Sequence, residues 1–281
     1  MKRSALSLFI LLSLTVFGQS NPTEQAQPIV AEGKRLYKSE MASWYGTDLF
    51  IKNYKNRANV GGYFSYSDNN NVSKCIFFSK SENPQVIGTI TFDSTYNTKT
   101  AAIDLKERNF TSFENELYAI RKTAMDEILS DTLFETYKNT NLNLIPLING
   151  KEKKVYILTG PEQSGIVIFG NDYLLTFDNN NKLVSKKKLH KNIIPINSNS
   201  KGEGEIEGTL HSHLPETGDF ITATDICTLM LYEKFTKWKQ HNVISQKYLN
   251  VWNCLTDELT VISMETLQKI KKDQEKRNNN E

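Results

Sequence analysis

From Ala5 to Phe17 the chain is almost wholly apolar (ALSLFILLSLTVF); beyond it, apolar residues recur at the spacings of helices and strands. Residues 19 to 30 are polar and carry prolines, which predicts a flexible segment. Leu36, Met41, Trp44 and Tyr45 predict a helix over about Ala31 to Tyr54, ended by Gly61-Gly62. Four short β-prone runs follow: Tyr63–Tyr66, Lys74–Phe78, Val86–Phe92 and Thr100–Leu105. Turn-forming residues at Asp68–Asn71, Glu82–Pro84 and Tyr96-Asn97 separate them, so the stretch predicts an antiparallel meander. Thr111-Ser112-Phe113-Glu114 is a capping box. It opens a helix to about Leu129 whose Phe113, Leu117, Ile120, Ala124 and Ile128 share one face.

A second β-rich stretch starts near Leu142. Strands are expected at Lys154–Leu158, Gly165–Phe169, Tyr173–Phe177, Lys182–Leu189 and Ile193–Ile196, with a hairpin turn at Asp178–Asn181. Asn197–Glu205 (NSNSKGEGE) reads as a flexible loop, and Glu207–His211 as a strand. A helix over about Ala223 to Lys239, a hairpin of Lys247–Cys254 with Glu258–Ile262, and a charged helix from Met264 complete the order. The fold class expected is α+β or α/β, a mixed sheet flanked by helices. Four regions are predicted: a leader over 1–18, a helix and meander over 19–109, a metal-binding domain over 110–263, and a charged tail over 264–281.

The apolar start follows Lys2 and Arg3 and precedes Gly18, which makes it a signal peptide with cleavage expected after Gly18. It is short for a membrane anchor, which takes roughly 20 apolar residues, and no later run spans a bilayer. A secreted or periplasmic location follows. The formal charge is +2, and it falls to zero once Lys2 and Arg3 leave, so there is no electrostatic case for nucleic acid or an acidic membrane. The three cysteines, Cys75, Cys227 and Cys254, are too few and too scattered for a disulfide scaffold. Cys227 and Cys254 are open candidates for one bridge.

Chemistry concentrates at the end of the predicted strand. His211 and His213 are two apart, so both imidazoles face the same side and can reach one ion. Asp225 returns a carboxylate twelve residues later, at the start of a helix. Thr222-x-x-Asp225 is also a helix N-cap, and the two roles are compatible. Two imidazoles and a carboxylate leave a fourth zinc position for water. The other histidines, His190 and His241, read as structural or exposed. Asp219 is a rival carboxylate. Trp238, Trp252, Tyr232 and Tyr248 read as core.

His211-Ser212-His213, a short loop, and Thr222-Ala223-Thr224-Asp225 resemble the metal motif of the JAMM/MPN (JAB-like) zinc metalloproteases. Glu162-Gln163-Ser164-Gly165, followed by Ile166 to Gly170, resembles that family's upstream glutamate segment. Leu214 stands where the family carries proline, and Thr222 where it carries serine. The resemblance covers about residues 155 to 262. It implies zinc on His211, His213 and Asp225, Glu162 as general base on the metal-bound water, and Thr222 as the hydroxyl that stabilises the oxyanion. Such a centre lowers the pKa of bound water to about 7 and sets it to attack a carbonyl. The expected activity is hydrolysis of a peptide or isopeptide bond, with a protein or cell-wall peptide as substrate. The rival expectation is a non-catalytic secreted binding or structural protein on a JAMM-like or unrelated α/β fold; Glu162 discriminates, since without it beside the histidines the water has no evident base.

Overall fold

The computed structural model describes residues 21–68, 70–198 and 206–278. The predicted signal peptide lies outside them, as do the 199–205 part of the predicted loop and the last three residues. No helix among the described residues is long and apolar enough to cross a membrane.

The chain is a mixed α/β fold with antiparallel sheets and several helices. Two helices open it, α1 (Pro22–Gln25) and α2 (Gln27–Asn53). Residues 22–30, expected to be flexible, are helical instead. Asn21 caps the first turn by accepting the Thr23 N–H at 3.0 Å, and Pro28 sits in the first turn of α2, where a missing N–H costs nothing. The meander follows as an antiparallel sheet in the order β1 (Val60–Ser67), β2 (Ser73–Ser79), β3 (Val86–Phe92), β4 (Ala102–Asp104). Helix α3 (Ser112–Ser130) starts at the predicted capping box, both halves of which form.

The second β-rich stretch comprises β5 (Thr140–Asn149), β6 (Glu152–Pro161), β7 (Ile166–Gly170), β8 (Tyr173–Phe177), β9 (Leu183–Lys188) and β10 (Ile193–Asn197). An antiparallel sheet runs β5-β6-β8-β9, and β7 pairs with β10 apart from it. Next come β11 (Gly208–Ser212), α4 (Ala223–Thr236), β12 (Gln240–Ile244), β13 (Tyr248–Asn253), β14 (Glu258–Ser263) and α5 (Met264–Asn278).

Strand β12 lies where the sequence predicts only the end of a helix and a connection. Helix α4 stops three residues short of the expected Lys239 because Lys237 takes a left-handed conformation (φ 60°), a stop signal that lysine does not advertise. The freed segment pairs in parallel with β11, Leu210 opposite Asn242 and His211 opposite Val243. The unit β11–α4–β12 is therefore a strand–helix–strand crossover, and β13 and β14 extend its sheet antiparallel.

Helix α2 joins the layers. Its buried positions Val30, Gly33, Leu36, Ser39, Ala42, Gly46 and Phe50 recur every three or four residues. Val30 packs with Ile226, Trp238 and Trp252; Leu36 with Ile145, Tyr156 and Cys227; Ala42 and Phe50 with Phe77 and Ile90. At Gly33 the helix touches α4 so closely that a Cβ would stand 2.7 Å from the Ile226 Cβ. Trp238 and Trp252 are fully buried, as expected of core residues. All three cysteines are buried and free, so Cys227 and Cys254 do not form a bridge.

Candidate metal centre

Four side chains from three segments converge beside β11. His211 and His213 come from its end, Asp225 from the first turn of α4, and His190 from the connection after β9. Their ligand atoms all lie within 4.8 Å of one another, and all four are buried. His190 corrects the expectation that it is structural or exposed. Nothing in its local sequence marks it; the β8–β9 hairpin carries it there.

Asp225, His211 and His190 are each oriented by a second contact, whereas the His213 Nδ1 is buried with no hydrogen-bond partner. Asp225 and Thr222 form the predicted capping box: the Asp225 N–H donates to Thr222 Oγ1 at 3.1 Å, and the Thr222 N–H to Asp225 Oδ2 at 3.0 Å. That leaves Oδ1 buried with no hydrogen-bond partner. His211 Nε2 is orphaned in the same way and lies 3.7 Å from that oxygen. Two buried orphans facing each other are costly unless positive charge lies beside them, from a metal ion or from the His190 imidazolium 3.5 Å from Oδ1.

Behind His211 runs a hydrogen-bonded chain, and metal ligation selects the direction in which its N–H groups donate outward. The His211 Nδ1 is 2.9 Å from His241 Nε2, and His241 Nδ1 is 2.7 Å from Thr209 Oγ1. With N–H groups donating outward along this chain, His211 Nε2 keeps its lone pair toward the cluster. His241, which the sequence reads as structural or exposed, is fully buried on β12 beside β11 and is thus a positioning group. Phe169 stacks on its ring at 4.7 Å and packs against His211 at 5.1 Å, forming an apolar wall.

His190 is held by Asp172, which the sequence does not single out. The imidazole Nδ1 donates to Asp172 Oδ1 at 2.8 Å, and the His190 backbone N–H donates to the same oxygen at 3.1 Å. The Thr224 hydroxyl, from the first turn of α4, donates to the other carboxylate oxygen. Asp172 reaches this position through the turn Gly170-Asn171. Gly170 has φ 73°, and a Cβ there would stand 2.2 Å from the Asn192 carbonyl, so only glycine fits.

His190 Nε2 faces His213 Nε2 at 3.0 Å and Asp225 Oδ1 at 3.5 Å; His213 Nε2 faces Asp225 Oδ2 at 3.2 Å. A tetrahedral zinc with bonds near 2.1 Å separates its ligands by about 3.4 Å. These separations straddle that value, so His190, His211, His213 and Asp225 form a group that could hold a metal ion. The void touching Asp225 measures about 10 Å³, at the lower limit for one water.

The electrostatics agree with a cation site. Burial alone would raise the Asp225 pKa, but His190 and His211 outweigh it and hold the carboxyl well below the usual range. Burial pushes His211 down to about 4, despite Asp225. It pushes His241 down to about 3, with His211 adding to the effect. Burial also opposes charge on His190, but Asp225 and Asp172 overcome it and raise its pKa well above the ordinary value. Without a metal, the His190 imidazolium supplies the positive charge that Asp225 needs.

The remaining candidates lie elsewhere. Glu162 is exposed, in the turn between β6 and β7, where its N–H donates to the Asn139 carbonyl at 3.0 Å. No contact joins it to the histidines among the described residues. Asp219 pairs with Lys247 at 3.0 Å. The Thr222 hydroxyl is engaged in the cap and with Thr224 Oγ1 at 2.8 Å. The chain matches no protein-family profile, no curated protein and no solved structure, so the reading of this centre rests on its geometry.

Proposed function

We propose that this is an exported zinc protein in which His190, His211, His213 and Asp225 hold the ion in a closed, four-ligand centre on a JAMM-like strand–loop–helix core. It then serves as a non-catalytic binding or structural protein. The observation that carries this reading is the fourth donor. Three imidazoles and one carboxylate with ligand atoms within 4.8 Å of one another suit zinc, whereas calcium and magnesium favour oxygen ligands in larger number. A complete protein ligand set in a dry surrounding is the pattern of a structural zinc site; a catalytic one keeps a position open for water. The exposed position of Glu162 supports the same side, because the water would lack the base that the family resemblance supplies. Export rests on the apolar run from Ala5 to Phe17.

One observation favours a second reading, an exported zinc hydrolase cutting a peptide or isopeptide bond, with a secreted protein or cell-wall peptide as substrate. The Asp172–His190 pair is built like a general base with its orienting carboxylate. If His190 serves as base and not as ligand, then His211, His213 and Asp225 leave the fourth position to water.

Metal analysis of the purified mature protein, with X-ray absorption at the zinc edge, separates the two. The closed centre predicts about one zinc per chain, lost in His211→Ala and Asp225→Ala, with three nitrogens and one oxygen of protein origin and no exchangeable water. An exchangeable water, together with peptide cleavage abolished in His190→Ala, would replace it with the hydrolase. A folded protein that binds no zinc after reconstitution would overturn both.

A further inference from the structure

A second site lies further along α4. A cavity of about 310 Å³ opens between α2, the β5–β6 hairpin and α4, large enough for a small ligand or a single long side chain. Its walls carry two carboxylates of α2, Glu40 and Asp48, and three aromatic rings, Trp44, Tyr63 and Tyr232. No lysine, arginine or histidine is among its lining residues. Neither carboxylate forms a hydrogen bond or ion pair among the described residues. The Thr47 hydroxyl oxygen, on the same wall, is buried and also unpartnered. At the mouth, Trp44 is 43% exposed, packs against Tyr232 with ring centres 6.1 Å apart, and stacks on Phe235 at 6.0 Å.

We infer that this cavity binds an organic ammonium group, the cation that Glu40 lacks, held between the Glu40 carboxylate and the faces of Trp44 and Tyr232. A partly desolvated carboxylate beside electron-rich ring faces attracts a cation by charge and by the ring quadrupole together. The unpaired Thr47 hydroxyl supplies an acceptor for one ammonium N–H. A neutral sugar would find ring faces to stack on, but it would leave the Glu40 charge uncompensated. Partial burial without a partner pushes the Glu40 carboxyl up to about 7. Leu158, Thr159 and Thr228 line both this cavity and the small void beside Asp225, so one layer of side chains separates it from the metal centre. The inference does not depend on what that centre holds.

Titration calorimetry on the mature protein tests it, with n-butylammonium as the probe, n-butanol as its neutral counterpart, and N-acetyl-lysine amide and N-acetylglucosamine as further ligands. Saturable binding of n-butylammonium is expected, weakened at least tenfold in Glu40→Gln and in Trp44→Ala. Both variants are to be checked for an unchanged circular dichroism spectrum. Binding of N-acetyl-lysine amide as well would support the site and point to a lysine side chain as the source; its failure beside bound n-butylammonium would support the site for free amines. Equal binding of n-butanol, full affinity in Glu40→Gln, or saturation by N-acetylglucosamine alone would overturn the inference.

Discussion

Zinc uptake by this centre should displace a proton from His190, and the number of protons released is a direct test of the geometry. In the metal-free protein His190 lies between Asp172 at 2.8 Å and Asp225 at 3.5 Å, and these carboxylates raise its pKa well above the ordinary 6.5. At a pH near the ordinary 6.5 it therefore carries a proton on Nε2, the atom that must ligate the metal. His211, pushed to about 4 by burial, has no proton to lose there. His190 therefore contributes about one released proton, which makes zinc affinity rise about tenfold, or about 1.4 kcal/mol, per pH unit below its pKa. Calorimetry in buffers of different ionisation enthalpy counts the protons. His190→Ala should release about one fewer than the wild type. The apo protein offers a matching readout. A histidine whose folded pKa is raised contributes stability fully below the unfolded value of about 6.5, and that stability is lost as pH rises through the folded value. Apo protein should thus melt at lower temperature as the solution becomes alkaline, and zinc should abolish the trend. Equal proton release in wild type and His190→Ala would refute the assignment of the fourth ligand.

Asp172→Asn should keep the fold and weaken zinc binding by about 10- to 100-fold, since outer groups that orient a ligand act on that scale; undiminished affinity in a competition titration would remove Asp172 from the site. Gly33→Ala places a Cβ 2.7 Å from Ile226 Cβ and 2.9 Å from the Ala223 carbonyl. Overpacking of this kind costs about 1–3 kcal/mol, so thermal unfolding should come several degrees earlier, and an unchanged midpoint would mean that α2 and α4 can slide apart freely. Without a ligand, Glu40→Gln should stabilise the protein at pH 8. The folded state binds the Glu40 proton more tightly than the unfolded chain, so stability falls between about pH 4.5 and 7. The gain is at most about 3 kcal/mol, and smaller because Glu40 is only half-buried; no gain in denaturant melts at pH 8 would show the carboxylate to be solvated.

Much of the fold is legible in the sequence where local signals are strong. The capping boxes at Thr111 and Thr222, the turn at Asp178–Asn181 and the alternating strands of the meander each announce themselves within a few residues. The pairing of His211, His213 and Asp225 is legible for the same reason: a strand period of two and a helix cap fix it locally. What is not legible depends on long-range pairing. Strand β12 begins Gln240-His241-Asn242, too polar to read as a strand, and it forms because β11 offers a parallel edge. His241 gains its role only through that pairing. Asp172 and His190 are brought to the centre by the β8–β9 hairpin, and no spacing in the sequence connects them to residues 211–225. Glu162 shows the reverse case, a motif-like segment whose chain path leads to the surface.

The three free thiols give this architecture a set of internal reporters. Cys75 lies within the meander, Cys227 within the helix that presents Asp225, and Cys254 just past β13. Burial raises the first to about 12, the second well above its ordinary value and the third to about 12. None reacts as a thiolate while its surroundings stay closed. A thiol reagent therefore labels each only when its own layer opens, and the three labelling rates resolve the molecule into regions that breathe separately or together. If zinc slows labelling at Cys227 and leaves Cys75 unchanged, the metal braces one part of the protein and not the whole.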